Sequence, residues 1–381
     1  MEVEPYTVQI LSTVDLDLLA KALARLILVL KQRIRKFDRT VTWDRKKVSS
    51  QFESEVHRIK TILLPSIPRK LHRLCDLLFD SVYLQKLEAP QLQDGIKVLK
   101  ELENIVHKIS SSIDSFVVDE YQFFSNRDAE RWKQYRSERA QSKLADSFFN
   151  LRCLLLLYSD LLPQLGGMTI TRHEAKQKLR ELIDYIHFEE EREDDRIAWF
   201  DMSELSAVQE HCGEIAEEQG KLLQELVEFP TLHKDIHVQP LREFIPILKL
   251  SRLFFNKISK PTSDESHPIT SMNTDQRLNL INLVASIPTK LTKFYDEMEC
   301  NYEPTQNIDL SKVSDLGKLF QAPLNLLTNC LSDQGTNPNS PQDSISKLIL
   351  WYANWQCHFF VAVRRFYIAY TDAYSNFLIV N

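Results

Sequence analysis

The chain has 381 residues, 43% hydrophobic and 26% charged, so it can bury sizeable cores and is not disordered as a whole. It holds seven glycines, where an average composition of roughly 7% would give about 27; because only glycine enters φ > 0 freely, this scarcity argues against phosphate-cradling loops, strand hairpins and Rossmann turns. The net charge of −6 is uneven: residues 1–165 carry 26 Lys+Arg against 22 Asp+Glu, residues 166–381 carry 21 against 31, and an acidic half argues against nucleic acid as the partner.

Long helices joined by short connections follow, and the fold class is read as all-α. MEVEPYTVQI has no basic stretch leading into an apolar one, so no signal peptide is expected. Helices are predicted over 14–37, 46–63 and 68–87, with Pro65 and Pro68 separating the second from the third. The strongest periodicity lies in 91–118. There Leu92, Ile96, Leu99, Leu102, Val106, Ile109, Ile113 and Phe116 form one apolar stripe at helical spacing, about 36 Å long at 1.5 Å per residue. A further helix over 128–162 ends at Pro163 and Gly166–Gly167, which is read as the boundary between bundles at 1–165 and 170–381.

In the second half, Thr171-x-x-Glu174 is a capping box opening a helix to Phe188, and Asp201-x-x-Glu204 opens another to Val227. Between them the acids concentrate: Glu181–Glu204 holds ten, against Arg192 and Arg196 as the bases. Further helices are predicted at 240–258, 274–298, 310–330 and 344–374. The polar segments 259–273 and 331–344 between them are read as solvated, mobile loops. Pro246, Pro288 and Pro323 fall inside helical patterns and are expected to kink them, with hinges as the functional alternative. No run reads as a strand.

Cys75, Cys153, Cys212, Cys300, Cys330 and Cys357 are scattered without a C-x-x-C, which fits reduced, buried thiols in an intracellular protein, and a cytoplasmic or nuclear location is expected. The most apolar segment, Leu348–Val363, is interrupted by Asn354, Gln356 and His358 and followed by Arg364–Arg365. It reads as a buried helix, with no membrane span.

Catalytic patterns fail on inspection. Gly213 and Gly220–Lys221 have six intervening residues instead of the four of a P-loop, and Leu222 stands where Ser or Thr must reach magnesium. His233 and His237 are four apart but lack a zincin's glutamate and lie between Pro230 and Pro240. Glu193-Asp194-Asp195 is suggestive of the magnesium-diphosphate motif of all-helical terpenoid synthases. Adjacent helical carboxylates diverge, however, so it reads as a solvated acidic stretch between two helices. No G-x-S-x-G displays a nucleophile. The chain is therefore expected to be no enzyme, with no cofactor and no metal.

Three segments follow one another in the last third: PLREFIPILKLSRLFFNKI (240–258), LNLINLVASIPTKLTKFYDEM (278–298) and DLSKVSDLGKLFQAPLNLLTN (309–329). Their succession resembles the C-terminal half of the cyclin-D-binding, GCIP-like family of helical proteins, with Glu189–Asp195 in the place of that family's acidic stretch. The aromatic segment 351–370 is a departure from it. The resemblance implies two helical bundles akin to vinculin and catenin modules. It also implies a non-enzymatic intracellular regulator that binds proteins, including cyclins and helix-loop-helix factors.

The functional expectation is an adaptor of two elongated antiparallel bundles that takes a partner helix into a groove. The groove is placed at 240–258, where Pro246 would keep a wide apolar face from packing flat. Phe255 would lie on that face, with Arg242, Lys249, Arg252 and Lys257 at its rim; the alternative reading, and the one buried Phe and Leu usually follow, is that these aromatics fill the C-terminal core. Ser340–Pro341 is a candidate proline-directed phosphorylation site. The alternative is an all-helical enzyme or a lipid- or isoprenoid-binding protein with a cavity among the aromatics of 351–370.

Overall fold

The computed structural model describes residues 13–37, 46–79, 89–119, 127–165, 172–232, 238–260, 267–300, 310–335 and 342–380. It divides into two compact units, Met1–Asp201 and Met202–Asn381. Each is a helical bundle, and among the described residues the fold is all-α apart from one pair of three-residue strands.

In the first unit, α1 (Thr13–Phe37) packs on α4 (Ala89–Asp114) and α5 (Arg127–Leu165). Leu19, Leu23, Leu26 and Leu30, spaced by four, three and four, are buried along α1. The stripe expected on α4 faces this core, and Leu92, Leu99, Leu102, Val106, Ile109, Ile113 and Phe116 are all buried. Ile96 is half-buried, and the neighbouring Gly95 takes the closest approach. A Cβ at Gly95 would stand 3.2 Å from Leu78 Cδ2 and 3.4 Å from Leu19 Cδ1. Gly95→Val is accordingly expected to destabilise by about 1–3 kcal/mol through overpacking. A urea midpoint equal to that of the wild type would show that the helices part without cost.

The helix expected from residue 46 begins instead with a strand. β1 (Lys46–Val48) pairs antiparallel with β2 (Val117–Asp119), and Val48 faces Val117 in register. Three-residue strands carry too little alternation to stand out from a helical background. α2 (Phe52–Arg58) then runs into a π-helical turn, Ile59–Leu63, closed by Leu64 N–H donating to Ile59 O at 2.9 Å. Phe52 meets Phe116 edge-on at 4.9 Å and seats this segment.

α3 (Ser66–Phe79) packs on α4, and the buried Tyr158 of α5 donates its hydroxyl to Leu71 O at 2.9 Å. α6 (Arg172–Trp199) packs on α3 and α5 and buries Leu182, Ile186 and Trp199. It therefore belongs to the first unit, and the division falls at Asp201, after the helix that the expected boundary assigned to the second bundle. Gly166–Gly167 lies outside the described residues. Arg136 of α5 donates to Phe200 O and satisfies a carbonyl at the end of α6.

The acidic stretch is solvated at Glu191, Asp194 and Asp195, as expected, but it is no linker between helices. It lies within α6, and Glu189, Glu193 and Arg196 are buried. Steps of four and three turn these residues to one side of the helix, where Arg196 Nη1 lies 2.7 Å from Glu193 and 3.6 Å from Glu189. Burial raises the Glu193 carboxyl above its usual range, against the attraction of Arg196.

The second unit opens with α7 (Glu204–Leu232), capped by Ser203 Oγ accepting from Ser206 N–H rather than by Asp201. α8 (Val238–Ser259) packs against α7 and against the long α13 (Gln342–Val380). The second half of 259–273, expected to be a mobile loop, is a packed element. α9 (Pro268–Ser271) sits on α12 (Gln321–Gly335) with His267, Pro268, Ile269 and Met272 buried. The apolar Ile269 and Met272 anchor a segment whose polar composition hid them. α10 (Thr274–Cys300) begins at a reciprocal cap: Gln276 N–H donates to Asn273 Oδ1 at 2.9 Å, and Asn273 N–H donates to Gln276 Oε1 at 3.0 Å.

The single helix expected over 310–330 is two. α11 (Leu310–Lys318) ends in a turn at Leu319–Phe320 before α12. Pro323 therefore sits in the first turn of α12, where a missing N–H costs nothing, and it kinks no helix. α12 continues to Gly335, so residues 331–335 of the expected loop are helical, as are 342–344 at the start of α13; residues 336–341 lie outside the described residues.

Candidate functional site

Three of the five residues expected to line a groove on α8 are on the surface. Arg242, Lys249 and Arg252 are exposed, and steps of seven and three place them along one side of the helix. Arg252 lies over α7 where Gly220 has no side chain; a Cβ there would stand 3.5 Å from its Nε. Lys257 is half-buried, its Nζ 5.6 Å from the centre of the Trp351 ring.

The apolar side of α8 follows the core-filling alternative and not the groove. Phe255 is fully buried, together with Phe244, Ile247, Leu248, Phe254 and Ile258. These residues, with Ser251 among them, keep an i, i+3, i+4 stripe facing inward, and Pro246 lies half-buried to one side of it. The proline removes a hydrogen bond without preventing packing, so α8 presents a basic surface and no groove. Ser340 lies outside the described residues, as do His233 and His237.

The aromatics of 351–370, expected under the alternative to line a cavity, fill one another instead. Phe320 stands 5.0 Å from each of Phe254, Trp355 and Phe359, and Trp355 stacks on Phe359 at 5.0 Å. Trp355 donates its indole N–H to Leu250 O at 2.8 Å. Gly213 and Gly220 are mid-helix positions on α7, and no phosphate loop is formed there.

A cavity of about 560 Å³ lies elsewhere in the second unit, between α10, α11 and α12. This size falls within the range of binding pockets. Its apolar floor is Leu283, Phe294, Leu316, Leu319 and Pro323, and Lys290, Lys293 and Lys318 stand around its mouth. Leu283, Ser286, Lys290 and Lys293 follow steps of three, four and three, so one face of α10 makes a whole wall. Pro288 is buried behind that wall.

The electrostatics of the mouth are one-sided. Lys318 pairs with Asp315 at 3.1 Å, both residues being well exposed. Lys290 and Lys293 are exposed and have no ion-pair partner among the described residues. An apolar floor under two exposed ammonium groups suits a ligand that is apolar on one side and anionic on the other.

Two family matches divide the chain. The domain of unknown function DUF8721 matches residues 171–367, more than half of the sequence. The chain belongs to the DUF8721 family. The DUF8721 segment contains α7–α12, the cavity and most of α13, and it begins at α6. A second domain of unknown function, DUF8723, matches residues 53–201 and ends where the first unit ends. Both matches include α6. No curated protein and no solved structure matches the chain.

Reading the sequence missed this site because its walls come from three helices, one of which was not distinguished from its neighbour. The available signal was Lys290-x-x-Lys293-Phe294, which sets two bases beside an aromatic on one helical face. Among the described residues, five cysteines are free; Cys75, Cys212 and Cys330 are buried, and burial pushes the Cys212 thiol up to about 12. No helix among the described residues is long and apolar enough to cross a membrane.

Proposed function

We propose that the chain is a non-catalytic helical adaptor whose second unit takes an acidic amphipathic helix of another protein into the cavity between α10, α11 and α12. The observation that carries this reading is the pairing of a floor built from Phe294, Leu316 and Leu319 with the exposed ammonium groups of Lys290 and Lys293. A partner helix with apolar residues at i, i+3/i+4 and i+7 and glutamates beside them complements both features. The resemblance to the cyclin-D-binding, GCIP-like family supports the same class of role. It makes cyclins and helix-loop-helix factors the first natural partners to examine, and it places the adaptor in the cytoplasm or nucleus, in cell-cycle or transcriptional control.

The test is fluorescence titration of the full chain with a synthetic Leu/Glu amphipathic helix. Lys290→Glu with Lys293→Glu should weaken binding by about tenfold or more, equivalent to about 1.4 kcal/mol, while circular dichroism and melting stay unchanged. Added salt should weaken the wild type as well. Lys249→Glu with Arg252→Glu, on α8, should leave binding as it was. Equal affinity for the wild type and the Lys290/Lys293 variant would overturn the proposal. So would a cavity that rejects the peptide and takes an isoprenoid diphosphate.

A further inference from the structure

His72 of α3 and His187 and Glu190 of α6 come together on the surface of the first unit. His72 Nε2 lies 3.3 Å from Glu190 Oε2, and His187 Nδ1 lies 3.7 Å from the same oxygen. The two imidazole rings are 5.3 Å apart, and one ligand atom from each of the three residues falls within 4.8 Å of the others. From the geometry we infer a zinc site, with His72, His187 and Glu190 as three ligands and water as the fourth.

The distances favour this reading. Tetrahedral zinc with bonds of about 2.0–2.1 Å sets its ligand atoms roughly 3.3–3.4 Å apart. Two of the three separations are already at or near that edge length, and small rotamer changes close the third. Two imidazoles and one carboxylate suit a late first-row divalent ion and disfavour magnesium, which takes oxygen ligands and keeps its waters. The local sequence supplies the geometry: His187 and Glu190 are three apart on α6, so they project from one face, and α3 packs against α6 with His72 opposite them.

The side chains remain accessible, at 36% for His72, 62% for His187 and 46% for Glu190. The ion is thus exchangeable and fastens two helices that are far apart in the sequence, rather than forming the nucleus of a core. This site is independent of the proposed adaptor groove, which lies in the second unit.

The test is calorimetric titration of the untagged full chain with Zn²⁺ alone. One ion per chain is expected, with affinity reduced at least about tenfold in each of His72→Ala, His187→Ala and Glu190→Gln. Mg²⁺ should give no heat. Co²⁺ should produce the visible absorption of a four-coordinate site in the wild type and lose it in His72→Ala. All three positions are on the surface, so circular dichroism should confirm intact folds. Absence of Zn²⁺ binding at millimolar concentration, or binding that none of the three substitutions weakens, would overturn the assignment.

Discussion

Phe320→Ala is expected to lower the stability of the second unit by about 3–5 kcal/mol, the usual cost of removing a buried phenyl ring. Phe320 is 1% exposed and lies in the turn that separates α11 from α12. Its ring stands 5.0 Å from those of Phe254, Trp355 and Phe359 and 5.9 Å from that of Phe255, so it joins α8 to α13. Truncation removes apolar burial and leaves a void among rings that cannot collapse without losing their edge-to-face geometry. The carbonyl that accepts from Leu324 N–H at 3.0 Å belongs to the main chain and survives the substitution. Urea denaturation should show a lower midpoint at unchanged slope. Leu350→Ala, at a position 60% exposed, is the control and should stay within about 0.5 kcal/mol of the wild type. Similar losses for the two variants would mean that the rings are not a packed core.

Arg196→Met should be comparably severe at neutral pH and milder in acid. Arg196 is 6% exposed and faces Glu193 at 2.7 Å and Glu189 at 3.6 Å, both nearly as buried. Removing the cation leaves the buried Glu193 without its counter-charge and Glu189 with only the exposed Arg192 at 3.6 Å, a loss of about 3–5 kcal/mol. Burial already raises the folded-state carboxyl of Glu193, and Arg196 is the main influence holding it down. A carboxyl raised in the folded state gives its stability below its unfolded value, and that stability is lost as pH rises through the folded value. Without Arg196 the folded value climbs further, so at pH 7 Glu193 must either take up a proton or sit charged in the interior. The gap between variant and wild type should therefore narrow as pH falls from 7 to about 5. Urea midpoints at the two pH values measure it. A gap that is equal at both would show that Arg196 does not compensate these carboxylates.

How far the sequence reached depended on how locally each feature was encoded. The α4 stripe was legible because Leu92 through Ile113 keep one period over about six turns, and a helix with that pattern has one face to bury; Phe116 continues the spacing but lies past the helix end, before β2. The α11–α12 break was not, since Leu319–Phe320 are apolar residues that fit a continuing helix; only the contact of Phe320 with Phe254 and Trp355 makes a turn there favourable. Phe255 was left open between a groove and the core for a related reason. Composition identified α8 as apolar on one side and basic on the other, but α7 and α13, from either end of the unit, decide that the apolar side is covered. Lys290, Lys293 and Lys318 gather around a cavity only once α10 and α11 are placed, and His72 meets Glu190 across 118 positions of sequence.

The sequence by itself determined the all-α class and most helix positions, because glycine scarcity and 3.6-residue periodicity act over a few turns of chain. Only the tertiary structure decided that α6 completes the first unit and that Glu189 and Glu193 turn inward onto Arg196. It alone placed an open, cationic cavity between α10, α11 and α12. Which face of a helix is covered, and which charges are left facing solvent, depends on partners dozens of residues away, and no local pattern carries that information.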